Sequence, residues 1–196
     1  MERPAFPESC ERFQHLIFDL DGTLTFLDLP WLTWIGEVCG LLPVGAVDEF
    51  RESVLNGRAW AVFLNDCIKT GRLDPMLLAQ VSERFERKYF KHIPNWRAIS
   101  VLPELARGRT LSVWSNNTLY SADRSLREMG VRSLFDRVVT QGESRYLKPD
   151  PEPWSDSAAV CALELTVVVG DSENDVVAAR TLGTSFVPLV WHPVGQ

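Results

Sequence analysis

Residues 15–24 read HLIFDLDGTL, and this stretch decides the fold of the chain. Residues 16–18 form a short apolar run, which is typical of a parallel strand buried on both faces. Asp19 and Asp21 follow with only one residue between them, and two unpaired carboxylates are costly to bury. We therefore predict that the strand ends here, that a cation lies opposite the carboxylates, and that Gly22 lets the chain turn away.

Further polar groups follow later strands in the same way. From residue 100 onward, predicted strands alternate with predicted helices, a pattern that favours a parallel sheet covered on both faces. Ligands of such sheets bind beyond the carboxyl ends of the strands. Four groups occupy such positions: Asp19 and Asp21; Ser115 and Asn116 at the end of strand 110–115; Lys148 in RYLKPDP; and Asp171 and Asp175 after strand 165–170. We expect these side chains to share one site.

In this order, the four groups resemble the four motifs of the haloacid dehalogenase-like (HAD) hydrolase superfamily. The resemblance spans residues 15–191 and implies an α/β fold, a Rossmann-like doubly wound parallel sheet. Residues 26–94 show helical patterning and no convincing strand, so we predict an all-helical cap inserted between the first and second motifs. The α/β catalytic core then comprises residues 14–25 and 95–196. The cap is similar to that of the phosphoglycolate-phosphatase and phosphomutase branch.

The resemblance also implies a role for each motif residue. Asp19 would be the nucleophile, and Asp21 would protonate the leaving group and then activate water. Lys148 would neutralise charge at the reacting oxygens, while Ser115 and Asn116 would bind the transferring phosphoryl group. The resemblance also implies a metal site, in which Mg²⁺ would be held by Asp19, Asp171 and the backbone carbonyl of Asp21. Asp175 would orient Lys148 or a metal-bound water.

Each motif also has a structural alternative, and for the first motif it is an ordinary turn at Asp21-Gly22. Ser115 could be a helix N-cap, and Lys148 could be a solvated loop lysine before a proline. Asp171 and Asp175 could be acidic residues that favour the N-terminus of the following helix.

The cap leaves its substrate contacts open. Arg58 follows a glycine in a loose match to a substrate loop of phosphomutases, where it would pair with an anionic group, but it could equally begin a helix. The tryptophans of the cap could pack in its core, line an aromatic substrate pocket or form an apolar surface for a partner. They are Trp31, Trp34, Trp60 and, at the exit of the cap, Trp96. Lys69 and Lys88 are expected at the surface.

Composition excludes several classes of protein. The net charge is −6 with no long basic run, which argues against a nucleic-acid partner, and no apolar run reaches membrane-spanning length. The four cysteines are scattered and are expected to be reduced thiols. Residues 1–14 contain three acids and two prolines and do not resemble a secretory signal, so we expect a cytoplasmic protein. The sequence does not indicate the oligomeric state.

The sequence therefore predicts a Mg²⁺-dependent phosphatase that hydrolyses a small phosphorylated metabolite through an aspartyl-phosphate. Asp21 disfavours the dehalogenase branch of the superfamily, which does not use this second aspartate. One alternative is a phosphomutase, which uses the same aspartates. Another is a non-catalytic binding protein that keeps the fold.

Overall fold

A five-stranded parallel sheet forms the centre of the molecule in the computed structural model, which describes residues 12–56, 60–155 and 163–189. Its strands are β1 (His15–Phe18), β4 (Thr110–Thr118), β5 (Arg137–Gln141), β6 (Thr166–Gly170) and β7 (Ser185–Pro188). The order across the sheet is β5-β4-β1-β6-β7. Phe18, the last residue of β1, pairs with Val113 on one side and Val169 on the other, so the next residues of the three strands meet at one edge.

Helices cover both faces of this sheet. They are α5 (Trp96–Ile99), α6 (Leu102–Leu105), α7 (Leu119–Glu128), α8 (Glu152–Ser155) and α9 (Glu173–Leu182). Leu16 and Phe18 of β1 pack with α7 through Leu126, whereas Ile17 faces the opposite side and packs with α9 through Ala178. This alternation follows from the period of two along a strand. The doubly wound α/β fold expected from the sequence is confirmed.

Four helices make up the cap, which has a hydrophobic core of its own. They are α1 (Trp31–Cys39), α2 (Val44–Leu55), α3 (Trp60–Lys69) and α4 (Pro75–Tyr89). Their buried faces meet around Trp34, Phe50, Leu64 and Phe85. Apolar residues at helical spacing bury one stripe of each helix against the others, so the cap packs as a unit.

Two short strands lie where the chain passes from the core into the cap and where it returns. They are β2 (Thr25–Leu27) and β3 (His92–Pro94), and they pair antiparallel. The Thr25 hydroxyl also donates to the carbonyl of Ile93 at 2.9 Å. The expectation that residues 26–94 contain no strand is therefore wrong at both edges of that range. Three-residue strands are too short to show a period of two, and each depends on a partner far away in the sequence. We propose this pair as the junction between core and cap.

The second core strand is longer than expected. The sequence predicted a strand over residues 110–115, whereas β4 continues to Thr118 with a shift of register against β5 after Trp114. None of the helices in the described ranges is long and apolar enough to cross a membrane.

Candidate active site

A buried lysine and an aspartate meet at the end of the central strand. Asp19 directly follows β1, and Lys148 donates a short hydrogen bond from Nζ to its Oδ1. Lys148 also donates to the carbonyl of Trp114 at 2.9 Å and lies 2.6 Å from Oδ1 of Asp175. Only 3% of Lys148 is exposed, so it is not a solvated loop residue.

Three carboxylates form a cluster around this lysine. One oxygen each of Asp19, Asp171 and Asp175 lies within 4.8 Å of the others. Two glycines allow the chain to approach them this closely. A Cβ on Gly22, whose φ is +85°, would lie 2.2 Å from Oδ2 of Asp171, and a Cβ on Gly170 would lie 2.3 Å from Cγ of Asp175.

The electrostatics of the cluster call for a cation. Burial raises the pKa of Asp19 well above its usual value, and burial together with Asp175 raises the pKa of Asp171 to about 6. Burial opposes the charge on Lys148, but Asp175 and Asp19 outweigh it and raise the pKa of its ammonium. Three carboxylates and one ammonium carry a formal charge of −2, which one divalent ion would balance. An all-oxygen donor set suits Mg²⁺, so the residues fit this ion.

The two carboxylate oxygens of Asp175 have different partners. Its Oδ1 pairs with Lys148, while its Oδ2 accepts from the backbone amide of Ser172 at 2.9 Å and from the Ser172 hydroxyl at 2.6 Å. The helix-terminus interpretation of Asp175 therefore holds together with its contact to Lys148. Asp171 accepts a hydrogen bond from the Thr23 hydroxyl at 3.4 Å.

Asp21 lies beside the cluster and lines the same cavity, and one of its carboxylate oxygens is held by the backbone. Its Oδ1 accepts from the backbone amide of Leu27 at 2.7 Å, which ties it to β2. Burial raises the pKa of Asp21 to about 7, although the hydrogen bond from Leu27 opposes this shift. A carboxyl group with a pKa near neutrality is suited to giving and then taking a proton.

Ser115 and Asn116 lie in β4 at the same edge. The Ser115 hydroxyl donates to Oδ1 of Asn117 at 2.9 Å and accepts from the Asn117 amide at 3.1 Å. The N-cap of α7 is Thr118, so Ser115 is not a helix cap. Asn116 donates from Nδ2 to the carbonyl of Lys148 at 3.0 Å, which connects this strand to the lysine loop.

Glu86, a buried residue of α4 in the cap, also lines the site, and the sequence did not indicate it. It accepts from the backbone amide of Thr118 at 3.1 Å and from Nδ2 of Asn117 at 3.2 Å, and it takes a short bond from the Thr118 hydroxyl. Burial raises its pKa. A lone acidic residue on an amphipathic helix carries no local signal, because its partners lie on another element.

Gln141 and Asn174 were also missed. Three polar atoms near the cluster are buried without a hydrogen-bond partner among the described residues, namely Oδ1 of Asn116, Nε2 of Gln141 and Oδ1 of Asn174. Such atoms ordinarily meet water or a ligand. The position of Asn174 inside the fourth motif, GDSEND, was the available signal for it.

These residues surround a cavity of about 280 Å³ between the core and the cap. Asp19, Asp21, Ser115, Lys148 and Asp171 lie on its core side. The cap side includes Trp31, Trp34 and Trp60, which also pack in the cap core, so these tryptophans have the packing role and in addition face the cavity.

The other cap candidates lie elsewhere. Arg58, the candidate for an anion contact, falls outside the described residues. Lys69 is half exposed and pairs with Asp150 at 2.7 Å, and Lys88 is exposed, so both lie at the surface.

Comparisons with known proteins identify the family of the chain. The family model for haloacid dehalogenase-like hydrolases matches residues 16–189. Pyrophosphatase PpaX of Bacillus velezensis is 31% identical over 189 residues, which cover 92% of this chain and 85% of that protein. Phosphoglycolate phosphatase of Neisseria meningitidis is 27% identical, over 88% of this chain and 78% of its own length.

Solved structures show the same fold. The crystal structure of a haloacid dehalogenase-like hydrolase from Bacteroides fragilis superposes with a TM-score of 0.62 and covers 93% of this chain and 90% of that one. The two sequences are 20% identical, so this likeness concerns the fold.

Proposed function

The chain belongs to the haloacid dehalogenase-like hydrolase family and is one of its phosphatases, and from this premise we propose that it hydrolyses a small phosphorylated metabolite. We propose that the reaction proceeds through an aspartyl-phosphate on Asp19. The observation that carries the proposal is the buried pair of Asp19 and Lys148 within a cluster of carboxylates at the ends of β1 and β6. The structural alternatives leave the close approach of these buried groups unexplained.

The proposed reaction has two steps. A carboxylate oxygen of Asp19 forms a bond to phosphorus while the bond from phosphorus to the ester oxygen breaks, and Asp21 gives its proton to the departing oxygen. Asp21 then takes a proton from a water molecule that attacks the phosphorus of the aspartyl-phosphate. Inorganic phosphate leaves, and the Asp19 carboxylate and the protonated Asp21 are restored.

Other side chains position and neutralise the reacting group. Lys148 holds the nucleophile and offsets negative charge on the phosphoryl oxygens, which is the main demand of phosphoryl transfer. Asp175 orients the ammonium of Lys148, since its other oxygen is fixed by Ser172. Ser115 and Asn116 would bind the phosphoryl group from the end of β4.

We propose that Mg²⁺ is held by the carboxylates of Asp19 and Asp171 and by the backbone carbonyl of Asp21. When bound, the ion supplies positive charge that lowers the repulsion between an anionic nucleophile and an anionic phosphoester. The formal charge of the cluster and its oxygen-only donors support this assignment.

The relatives support a small phosphorylated substrate, since they are named as a pyrophosphatase and a phosphoglycolate phosphatase. We also infer a cytoplasmic location. The free, buried thiols of Cys39 and Cys67 support it, because thiols stay reduced in that compartment.

Replacing the nucleophile tests the proposal. Asp19→Asn removes the charge of the nucleophile at constant size, and we expect kcat to fall by more than about 10³-fold, since a covalent step is lost. The measurement is phosphate release from a panel of phosphoesters with Mg²⁺. Thermal unfolding checks that the variant is folded.

The matched control is Asp48→Asn, the same chemical change at an exposed position of α2. It should keep wild-type rates. Wild-type turnover by Asp19→Asn would exclude Asp19 as the nucleophile.

A further inference from the structure

The cap side of the cavity is an aromatic wall. Trp34 contacts Trp31 with ring centroids 5.8 Å apart and Trp60 with centroids 5.2 Å apart, both edge to face. Ile35 and Val54 extend this wall. Trp31 and Trp60 are only partly buried, so part of each ring remains available to a ligand.

The wall is held in place before any ligand arrives. Trp34 donates from Nε1 to the Ser82 hydroxyl at 3.0 Å, and Trp31 packs on Phe85 with centroids 6.3 Å apart. Rigid aromatic side chains lose little conformational entropy on binding, so such a surface favours ligands that match its shape.

The described lining residues offer few cationic partners to a second anionic group on the substrate. Among the described residues that line it, Lys148 is the one cation, and it is already held between Asp19 and Asp175. The charged residue that the cap contributes in the described ranges is Glu86, which is an acid. Among the described residues, a substrate carboxylate against the tryptophans would meet no free cation, and burying an unpaired charge is costly.

We propose that the substrate is a phosphate monoester whose alcohol part carries a flat apolar ring that packs against Trp31 and Trp60. This inference rests on the proposed function, because the phosphoryl group must occupy the site beside Asp19. Hydrolysis consumes one water and releases the ring-bearing alcohol and inorganic phosphate. The cavity of about 280 Å³ is close to the lower end of the range for sites that bind drug-sized ligands.

Three esters of primary alcohols test the preference: 2-phenylethyl phosphate, ethyl phosphate and phosphoglycolate. Hydrolysis breaks the same type of bond in all three, between phosphorus and the oxygen of a primary alcohol. With Mg²⁺ we expect kcat/KM for 2-phenylethyl phosphate to exceed that of the other two by about 10-fold or more.

Variants of the wall then locate the preference. Trp31→Ala should lower the ratio of kcat/KM between 2-phenylethyl and ethyl phosphate by about 10-fold, mainly through KM, and Trp31→Phe should restore most of it. Trp60→Leu is a second variant in case Trp31→Ala does not fold. Trp96→Ala is the control, since Trp96 is 62% exposed on α5 outside the cavity, and it should leave the ratio unchanged.

The outcomes separate the two proposals. Hydrolysis of all three esters at similar kcat/KM, or a preference for phosphoglycolate, overturns the aromatic-substrate inference and leaves the phosphatase intact. Hydrolysis of none of them counts against the proposed function. In that case the quenching of tryptophan fluorescence in Asp19→Asn decides the inference, which fails if ethyl phosphate binds as tightly as 2-phenylethyl phosphate.

Discussion

At the scale of single residues, His15 shows what burial does to a titratable group away from the site. It begins β1, is 1% exposed, and its Nε2 is hydrogen-bonded to the Ser112 hydroxyl at 2.9 Å. Its ring meets Trp154 edge to face, with centroids 5.8 Å apart. Burial lowers the pKa of His15, while Asp136 opposes this shift and Arg137 adds to it.

The lowered pKa makes stability depend on pH. Below about pH 6.5 the unfolded chain takes up a proton on His15 that the folded chain refuses, so the free energy of unfolding falls as pH falls. His15→Gln removes this titration. We expect the loss of stability between pH 7 and pH 5.5, measured by urea unfolding, to be smaller in the variant. Equal losses in both proteins would contradict the shifted pKa.

Residues of the site differ in how far the sequence alone could identify them. The residues that follow the strands, such as Asp19 and Asp171, could be predicted because the carboxyl ends of parallel strands meet at one edge. Glu86 could not, because its partners Asn117 and Thr118 come from another element. The residues next to Glu86 in the sequence therefore do not indicate its contacts with Asn117 and Thr118.

At the scale of elements, the longest cap helix depends on one capping residue. Asp74 precedes α4, and its carboxylate accepts from the amides of Met76 at 2.8 Å and Leu77 at 3.4 Å. Pro75 occupies the first helical position, where its missing N–H costs nothing. An aspartate followed by a proline is a sequence signal for a helix start, whereas strands of three residues, such as β2 and β3, are too short to show a pattern in the sequence.

Removing this cap should weaken the helix. Asp74→Ala leaves two backbone amides without their acceptor, and we expect it to lower the free energy of unfolding by about 1 kcal/mol in urea. Asp74→Asn retains an acceptor oxygen and should stay near wild type. A cost for Asp74→Asn as large as that for Asp74→Ala would indicate that the charge, and not the hydrogen bonds, stabilises this end of α4.

At the scale of the whole molecule, folding itself assembles the proposed metal ligands. Asp19 and Asp171 lie at opposite ends of the sequence and meet only because β1 pairs with β6. The unfolded chain therefore has no equivalent site. The parallel sheet could be predicted from alternating elements. The aromatic wall opposite Asp19 stayed one of several interpretations of the cap tryptophans, because its place depends on how the cap sits over the core.

Magnesium should consequently stabilise the fold. An ion that binds only the folded chain adds about 2.7 kcal/mol at 100 times its Kd, so we expect Tm to rise by about 5 °C or more in saturating Mg²⁺. Asp171→Asn should abolish the rise, and Asp48→Asn should retain it. An equal rise in Asp171→Asn would place the bound ion elsewhere.

The paired strands at the base of the cap have a consequence for how such proteins diversify. Thr25 lies opposite Pro94, and neighbouring strands are about 4.8 Å apart, so the polypeptide returns to the core almost where it departed. A longer or shorter segment between these two strands would leave the spacing between Asp19 and Asp171 unchanged, since the entropy cost of closing a loop grows only slowly with its length. Exchange of one continuous piece of coding sequence would then change the side chains on the cap side of the cavity and leave Asp19, Lys148 and Asp171 in place.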